Sequence, residues 1–445
     1  MKTQKQLPVD IPVSWSTERN IEELLITNHL LDLFDDEELK ILVQEALSNN
    51  PNLGATAKRL ETAGFLLGES SSKLMPRVNA EFSAGRDNQE VEAVTGEKLI
   101  TRTHRISVGI NWEIDLWGRL ADEHNASKQD FVANEQDYIQ ARDALATRVI
   151  QTWINSIGLK RSVAIEKERL AVLQHIWEVL VKRYKNGLGD LDEISTAASR
   201  MEIAKADVSA RKNAFVREKR KMELLLGRYP GDSLVLPGKL PEVVFPTVSS
   251  PATVLLRRPD IQAALARVES AHLLADSAVK ARLPGISLSG KIFREAASLK
   301  NIGNATSYWS LLGSLLQPIF DGGRLKSLAQ AGESEFQASI IDLRAAVLQA
   351  INEVENGFSQ ELDYEVQVKA LEVAAKESER SSKYYTERYR QGLDTIQNLL
   401  LAKEQEMAVK NRLNQVITER LSNRINLALA LGVELAENNV PEQEI

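Results

Sequence analysis

The chain carries one long sequence pattern twice, and this repeat limits the folds that it can adopt. Residues 51–227 and 259–432 align throughout, with a three-residue deletion in the second copy. The clearest matches are prolines, arginines, tyrosines and glycines: Pro51 with Pro259, Arg119 with Arg324, Tyr184 with Tyr389, and Gly187 with Gly392. A repeat of this length is several times longer than a solenoid unit, so the chain consists of two copies of one large structural unit.

Proline placement predicts long helices in both copies. No proline occurs over residues 77–229 or 319–440, and proline is the residue that most strongly breaks a helix. Each stretch is divided once, at Gly187 and at Gly392, where glycine suits the end of a helix. We therefore predict two long helices and two return helices, packed as coiled coils, over residues 119–185, 190–227, 324–389 and 395–432.

A second pattern predicts β-strands ahead of each long helix. Ile106, Val108 and Ile110 alternate with polar or small residues, which is the spacing of a strand with one apolar face. Strands of about nine to eleven residues, the length found in outer-membrane barrels, are expected. The pattern predicts one hairpin per copy, at about residues 77–117 and 285–320, with polar loops at Asp87–Arg102 and Glu295–Thr306.

Two interpretations of the hairpins stay open at this point. They form a soluble sheet on a helical layer, or they are strands of an outer-membrane barrel. Aromatic residues near the strand ends favour the barrel, because they would form its interfacial girdle: Trp112, Trp117, Tyr308, Trp309 and Phe320. Four strands cannot close a barrel, so several chains would have to share it.

Composition excludes other classes of protein. The 445-residue chain has no cysteine, which excludes disulfides, thiolate metal sites and a cysteine nucleophile. Its net charge of −7 argues against a nucleic-acid partner. Its five histidines lack the spacing of a zinc site. We therefore expect no metal, no cofactor and no catalytic constellation, and hence no enzyme.

Four segments closely resemble outer-membrane efflux proteins of the TolC/OprM type. They are Leu256–Ala264, Leu283–Gly290 and Gln317–Leu325 in the second copy, and Trp112–Leu120 in the first. They occur in the order that the family has, and the resemblance extends over about residues 34–435. It is closest to the OprM-like branch, which serves resistance-nodulation-division drug pumps.

The resemblance implies an α+β membrane protein of the Gram-negative outer membrane that extends into the periplasm. In a homotrimer, four strands from each chain would form a 12-stranded transmembrane β-barrel. This barrel would be continuous with a long periplasmic α-helical coiled-coil barrel. Both would be built from the repeats, residues 39–227 and 252–432. The remaining segments, residues 1–38, 228–251 and 433–445, would belong to a mixed equatorial domain.

The resemblance also implies passive conduction. The chain would be the exit duct of a tripartite efflux system for drugs and other small toxic compounds. Its partners would be a periplasmic adaptor protein, an inner-membrane resistance-nodulation-division pump and outer-membrane lipid. A type I secretion duct for proteins has the same fold and stays open as an alternative. A soluble coiled-coil scaffold would explain the helices but not the strands.

In the family, such a duct is closed at the two glycine turns until its partners dock. Alignment with the family gives these candidate gate residues: Asp192, Glu193, Tyr389, Arg390, Asp394, Gln397, Asn398 and Leu401. We hypothesise that Asp192 or Glu193 pairs with a basic residue of the turns, namely Lys185, Arg388 or Arg390. The alternative is that they are solvated turn residues with negligible ion-pair energy.

Overall fold

The computed structural model describes residues 11–16, 36–90, 98–231, 234–241, 248–433 and 435. Most of the predicted segments 1–38 and 433–445 lies outside these residues, as does part of the linker 228–251. Among the described residues, no helix is both long enough and apolar enough to cross a membrane.

Both copies have the same order of elements. In the first copy these are α1 (Glu37–Asn49), α2 (Pro51–Ser72), β1 (Arg77–Glu90), β2 (Lys98–Ile114), α3 (Arg119–Lys185) and α4 (Leu191–Leu225). In the second copy they are α5 (Pro251–Arg257), α6 (Pro259–Lys280), β3 (Gly285–Ala296), β4 (Ser307–Leu316), α7 (Arg324–Arg390) and α8 (Ile396–Ala430). Helices α3 and α7 have 67 residues each, which is about 100 Å of helix.

The chain divides into two compact units, and each draws on both copies. The helical unit comprises Met1–Ala57, Asp137–Ile261 and Ala346–Ile445, and the sheet unit comprises Lys58–Gln136 and Gln262–Ala345. The main core of the helical unit is formed by buried side chains of α1, α2, α3, α4, α5, α7 and α8 together with Trp15. The Trp15 and Phe358 rings lie 6.2 Å apart in this core.

The sheet unit contains one antiparallel sheet of four strands, in the order β1-β2-β3-β4. The four predicted strands are thus confirmed among the residues that the structure describes. Strand β2 pairs with β3, which joins the hairpin of the first copy to that of the second. Strands β1 and β4 are left at the two edges of the sheet.

Three of the four strands are longer than predicted. Strands β1 and β2 have 14 and 17 residues, and β3 and β4 have 12 and 10. Strand β1 continues to Glu90 and β2 begins at Lys98, so both enter the predicted loop Asp87–Arg102. The hydrogen bonds between strands join main-chain groups, so polar side chains do not prevent β1 and β2 from continuing into the predicted loop. In the second copy, a short 3₁₀ helix (Leu299–Asn304) lies between the strands.

Glycine at position 227 is required by a close approach of two chain segments in the helical unit. Its φ of 71° is left-handed, and a Cβ atom there would lie 2.4 Å from the Asn49 carbonyl oxygen. Gly187 has a φ of 72°, but a Cβ there would meet no atom within 4 Å. The two positions therefore share one backbone conformation and differ in the space around it.

We predict that Gly227→Ala destabilises the protein more than Gly187→Ala does. Left-handed alanine costs about 1–2 kcal/mol in either variant, and the clash at Asn49 adds roughly 1–3 kcal/mol only in Gly227→Ala. Heat-dependent loss of the assembled protein on mild SDS gels measures the difference. Equal shifts in the two variants would contradict this account of Gly227.

Candidate functional site

Two turns with the same backbone geometry end the long helices of the helical unit. The first interhelical turn (residues 186–190) follows α3, and the second interhelical turn (residues 391–395) follows α7. The glycine amide in each turn donates to the tyrosine carbonyl three residues earlier, at 2.9 Å and 3.1 Å. The following leucine amide donates to an arginine carbonyl at 2.9 Å in both turns. This is a Schellman motif with glycine in the left-handed position.

A side-chain link joins the two copies at these helix ends. Arg183 Nη1 donates to Tyr389 Oη at 2.8 Å, and the Arg183 guanidinium lies 5.7 Å from the centroid of the Tyr389 ring. Arg183 Nη2 also donates to the Leu188 carbonyl oxygen at 3.3 Å. Arg183 is thus held by its own turn and by the end of α7. Both the hydrogen bond and the cation–π contact are attractive.

The second interhelical turn contains its own polar network. Arg388 Nε donates to Asp394 Oδ2 at 3.1 Å, and Arg388 Nη1 donates to Tyr384 Oη at 3.1 Å. Asp394 Oδ1 accepts 2.8 Å hydrogen bonds from the side chain of Asn398 and the amide of Thr395. The hydrogen bond from Asn398 is the largest cause that lowers the pKa of Asp394, followed by the bond from the Thr395 amide. The hydrogen bond and the charge of Arg388 lower this pKa further.

The structure brings together some of the predicted gate residues and not others. Tyr389, Asp394 and Asn398 each bond to another residue of this region, as described above. Asp192 and Glu193 lie in the first turn of α4, and their side chains make no hydrogen bond or ion pair with any residue that the structure describes. The remaining predicted gate residues face solvent in this chain: Arg390, Gln397 and Leu401.

Sequence reasoning missed Arg183, which forms the link between the copies, and also Tyr384, which accepts a hydrogen bond from Arg388. The repeat contained the signal, because the offset that aligns Tyr184 with Tyr389 also aligns Arg183 with Arg388. Arg388, a predicted partner of Asp192 or Glu193, bonds to Asp394 in this chain.

An apolar cluster adjoins the two turns. Its buried members come from three helices: Leu173, Ile176 and Leu180 of α3, Ala197 and Ala204 of α4, and Ile396, Leu399 and Leu400 of α8. Tyr385 and Tyr389 of α7 pack against it. This cluster is separate from the main core of the helical unit, so both helix pairs are held together close to the turns.

An ionic layer joins the two helix pairs further along the same helices. Arg200 of α4 contacts Glu404 of α8 at 2.5 Å, and Arg169 of α3 lies 3.9 Å from the same carboxylate. Asn411 of α8 donates to the buried Glu166 of α3 at 2.7 Å. The α3–α4 pair of the first copy is therefore bonded to α8 of the second copy at two levels.

The sheet has one apolar face and one polar face. Residues paired across the strands share a face, as Val78, Ile110, Gly290 and Leu311 do. The same face carries Phe82, Ile106, Val108, Trp112, Ile286, Leu288, Ile292, Trp309 and Leu315. The opposite face carries mainly polar residues, namely Arg77, Asn79, Glu81, Arg105, Ser107, Asn111, Ser289, Lys291, Glu295 and Ser310, together with Phe293, Tyr308, Leu312 and Leu316. An apolar outer face and a polar inner face are the pattern of an outer-membrane barrel.

The predicted interfacial aromatics lie in three different settings. Trp112 and Trp117 are tied to main-chain carbonyls, at 3.0 Å to Leu74 and 2.8 Å to Pro284. Trp309 and Phe320 are 79% and 90% exposed. Tyr308 lies on the polar face, opposite its neighbour Trp309, because successive residues of a strand point to opposite faces. Its ring stacks on that of Phe293.

Both copies match the outer membrane efflux protein family, over residues 42–228 and over residues 251–433. The chain belongs to this family. Its two matches confirm the internal repeat, and its description confirms the resemblance found in the sequence. Membership of this family also excludes the alternative of a soluble coiled-coil scaffold.

Three known proteins illustrate the relationship. The cation efflux system protein CusC of Escherichia coli is 24% identical over 403 residues, which cover 90% of this chain and 86% of CusC. The outer membrane protein OprJ of Pseudomonas aeruginosa is 25% identical over 403 residues, covering 89% of this chain and 84% of OprJ. The CmeC outer membrane channel of Campylobacter jejuni superimposes with a TM-score of 0.87 at 24% identity, covering 97% of this chain and 95% of CmeC.

Family membership establishes the fold and the general function. The chain is a subunit of a trimeric outer-membrane channel with a helical barrel and a mixed domain, and it reaches from the outer membrane into the periplasm. It serves efflux and is not an enzyme. Because β1 and β4 stand at the sheet edges, closing the barrel requires each β4 to pair with β1 of a neighbouring chain.

Proposed function

We propose that this efflux channel is the exit duct for drugs and other small toxic compounds delivered by a resistance-nodulation-division pump through a periplasmic adaptor. The names of its relatives support small cargo: cation efflux for CusC, toluene efflux for TtgF, and pyoverdine export for OpmQ of Pseudomonas putida. These cargoes are ions and small molecules. They favour a small-molecule duct over the alternative of a type I protein secretion duct.

The polar face of the sheet is proposed to line the duct, and the apolar face to contact outer-membrane lipid. Trp112, Trp117, Trp309 and Phe320 are the proposed interfacial aromatics. Tyr308 is proposed to face the duct, since it shares the polar face with Phe293. This assignment follows from the barrel, because lipid accepts apolar side chains and a water-filled lumen accepts polar ones.

The two interhelical turns are proposed to form the gate at the periplasmic tip. The observation that carries this proposal is the Arg183–Tyr389 bond, which joins α3 of one copy to α7 of the other. Opening the tip requires the two helix pairs to separate there, so a bond between them stabilises the closed state. Docking of the adaptor and pump would supply the free energy that breaks the bond.

The remaining candidate gate residues are also part of this proposal. Asp192 and Glu193 are proposed to pair across a subunit boundary with Lys185 or Arg390, since Arg388 is engaged by Asp394. Gln397, Asn398 and Leu401 are proposed to narrow the pore at the second interhelical turn. Single-channel conductance of Asp192→Ala and Glu193→Ala in planar bilayers is expected to rise. Unchanged opening of both variants would remove these two residues from the gate.

Drug susceptibility tests the transport proposal. Deleting the gene from its host is expected to lower the inhibitory concentrations of several drugs and dyes, and the wild-type gene is expected to restore them. Restoration should require an intact resistance-nodulation-division pump, and that pump should co-purify with the channel. Co-purification with an ATP-driven exporter, together with unchanged drug susceptibility, would favour the protein secretion duct.

A further inference from the structure

The repeat places an arginine–tyrosine pair at each interhelical turn. Arg183 and Tyr184 precede Gly187, as Arg388 and Tyr389 precede Gly392. The two arginines also make the same local bond, each donating Nη2 to the carbonyl oxygen of the leucine five residues later, at 3.3 Å and 2.9 Å. Their guanidinium groups are therefore held in the same local position.

Only one of the two possible links between copies is made within the chain. Arg183 of the first copy donates to Tyr389 of the second. Tyr184 is 46% exposed, and its hydroxyl has no hydrogen-bond partner among the residues that the structure describes. Arg388 instead directs Nη1 to Tyr384, one helical turn earlier in its own helix.

A trimer of this two-copy chain is a ring of six similar units. Each first copy is followed by the second copy of its own chain, and each second copy by the first copy of the next chain. Head-to-tail contacts that close a ring repeat the same relation at every boundary. If the boundary between chains resembles the boundary between copies, the relation that brings Arg183 to Tyr389 inside a chain would bring Arg388 to Tyr184 of the next chain.

We propose that Arg388 of one subunit donates a hydrogen bond to Tyr184 of the neighbouring subunit, so that six arginine–tyrosine links encircle the tip. The proposal rests on the proposed gate, because it names the contact that joins the subunits there. In the subunit link, Nη1 of Arg388 changes its acceptor from Tyr384 to Tyr184, while Nε keeps its bond to Asp394.

Asp394 makes the two kinds of link unequal. It bonds to Arg388, while its counterpart in the first copy is Gly189, so no carboxylate at that position holds Arg183. The link inside a chain is positioned by the apolar cluster that packs against Tyr389. Asp394 fixes the Arg388 guanidinium before the neighbouring subunit arrives, which reduces the entropy lost when the subunit link forms.

Cysteine cross-linking tests the contact, because the chain has no cysteine of its own. A Tyr184→Cys/Arg388→Cys variant in isolated outer membranes is treated with a short bis-maleimide, which spans the distance between the two side-chain positions. Covalent dimers and trimers on denaturing gels are expected. The control pair Arg183→Cys/Tyr389→Cys should react equally well but remain a single chain, with its thiols protected from a later maleimide label.

Two outcomes decide the proposal. Monomers alone from Tyr184→Cys/Arg388→Cys, in membranes where the control pair reacts, would overturn it. As a second measurement, Tyr184→Phe should lower the temperature at which the trimer dissociates, and Tyr384→Phe should not. Equal effects of the two would also overturn the proposal.

The contact and the gate can fail separately. Cross-linked trimers whose tip mutants conduct like the wild type would support the contact and contradict the gate. A tip opened by Arg183→Ala, without subunit cross-links, would support the gate and contradict the contact.

Discussion

Ile110→Arg is expected to prevent assembly of the trimer in the outer membrane, whereas Asn111→Arg in the next position is expected to leave it intact. Ile110 lies on the apolar face of the sheet, in the row that contains Val78 and Leu311. It is 41% exposed in the single chain. Asn111 lies on the polar face, beside Ser289.

The expected difference follows from where each side chain points. An arginine on the lipid face near the middle of the bilayer costs about 2–4 kcal/mol. Because three chains share one barrel, the trimer would lose roughly 6–12 kcal/mol, which is comparable to the whole stability of a typical domain. An arginine in a water-filled lumen remains hydrated, and Arg77 already lies in the same row as Asn111.

The heat-sensitive trimer band in outer-membrane fractions measures both variants. Ile110→Arg should show little or no trimer and a reduced amount of protein in the membrane, while Asn111→Arg should match the wild type in both. Loss of the trimer in Asn111→Arg but not in Ile110→Arg would reverse the assignment of the two faces. Equal loss of the trimer in the two variants would contradict the assignment of one face to lipid and the other to the lumen.

The large elements of this fold follow from periodicity in the sequence. Strict alternation around Ile106 and Ile110 predicts a strand with one apolar face, and the paired register places both residues on that face. The glycines at 187 and 392 predict the ends of the long helices, because each needs a left-handed conformation that other residues resist. These features are local, so a single segment contains the information.

Features that depend on pairing between segments are not predictable in this way. The extension of β2 back to Lys98 depends on main-chain partners in β1, which no alternation of its own side chains reveals. Arg183 acquires its role only when α7 places Tyr389 within 2.8 Å of it. The face that Tyr308 occupies required the register of β3 against β4, since its neighbour Trp309 is also aromatic and also exposed.

Arg183→Ala is expected to raise the open probability of the channel in planar bilayers by roughly 100-fold. A half-exposed hydrogen bond from a charged donor contributes about 1 kcal/mol, near the lower end of the usual range. Three such links break together when a trimeric tip opens, so the closed state would lose roughly 3 kcal/mol, or about two factors of ten.

Comparison variants separate the link from its surroundings. Tyr389→Phe removes the hydroxyl but keeps the ring beside the guanidinium, so its effect should be smaller than that of Arg183→Ala. Lys182→Ala removes an exposed cation next to Arg183 that is not among the proposed gate residues, and its effect should be smallest. The double variant Arg183→Ala/Tyr389→Phe should behave like Arg183→Ala alone, because the bond can be lost only once. Full additivity of the two changes, or an equal effect of Lys182→Ala, would show that general charge at the tip, and not this bond, stabilises the closed state.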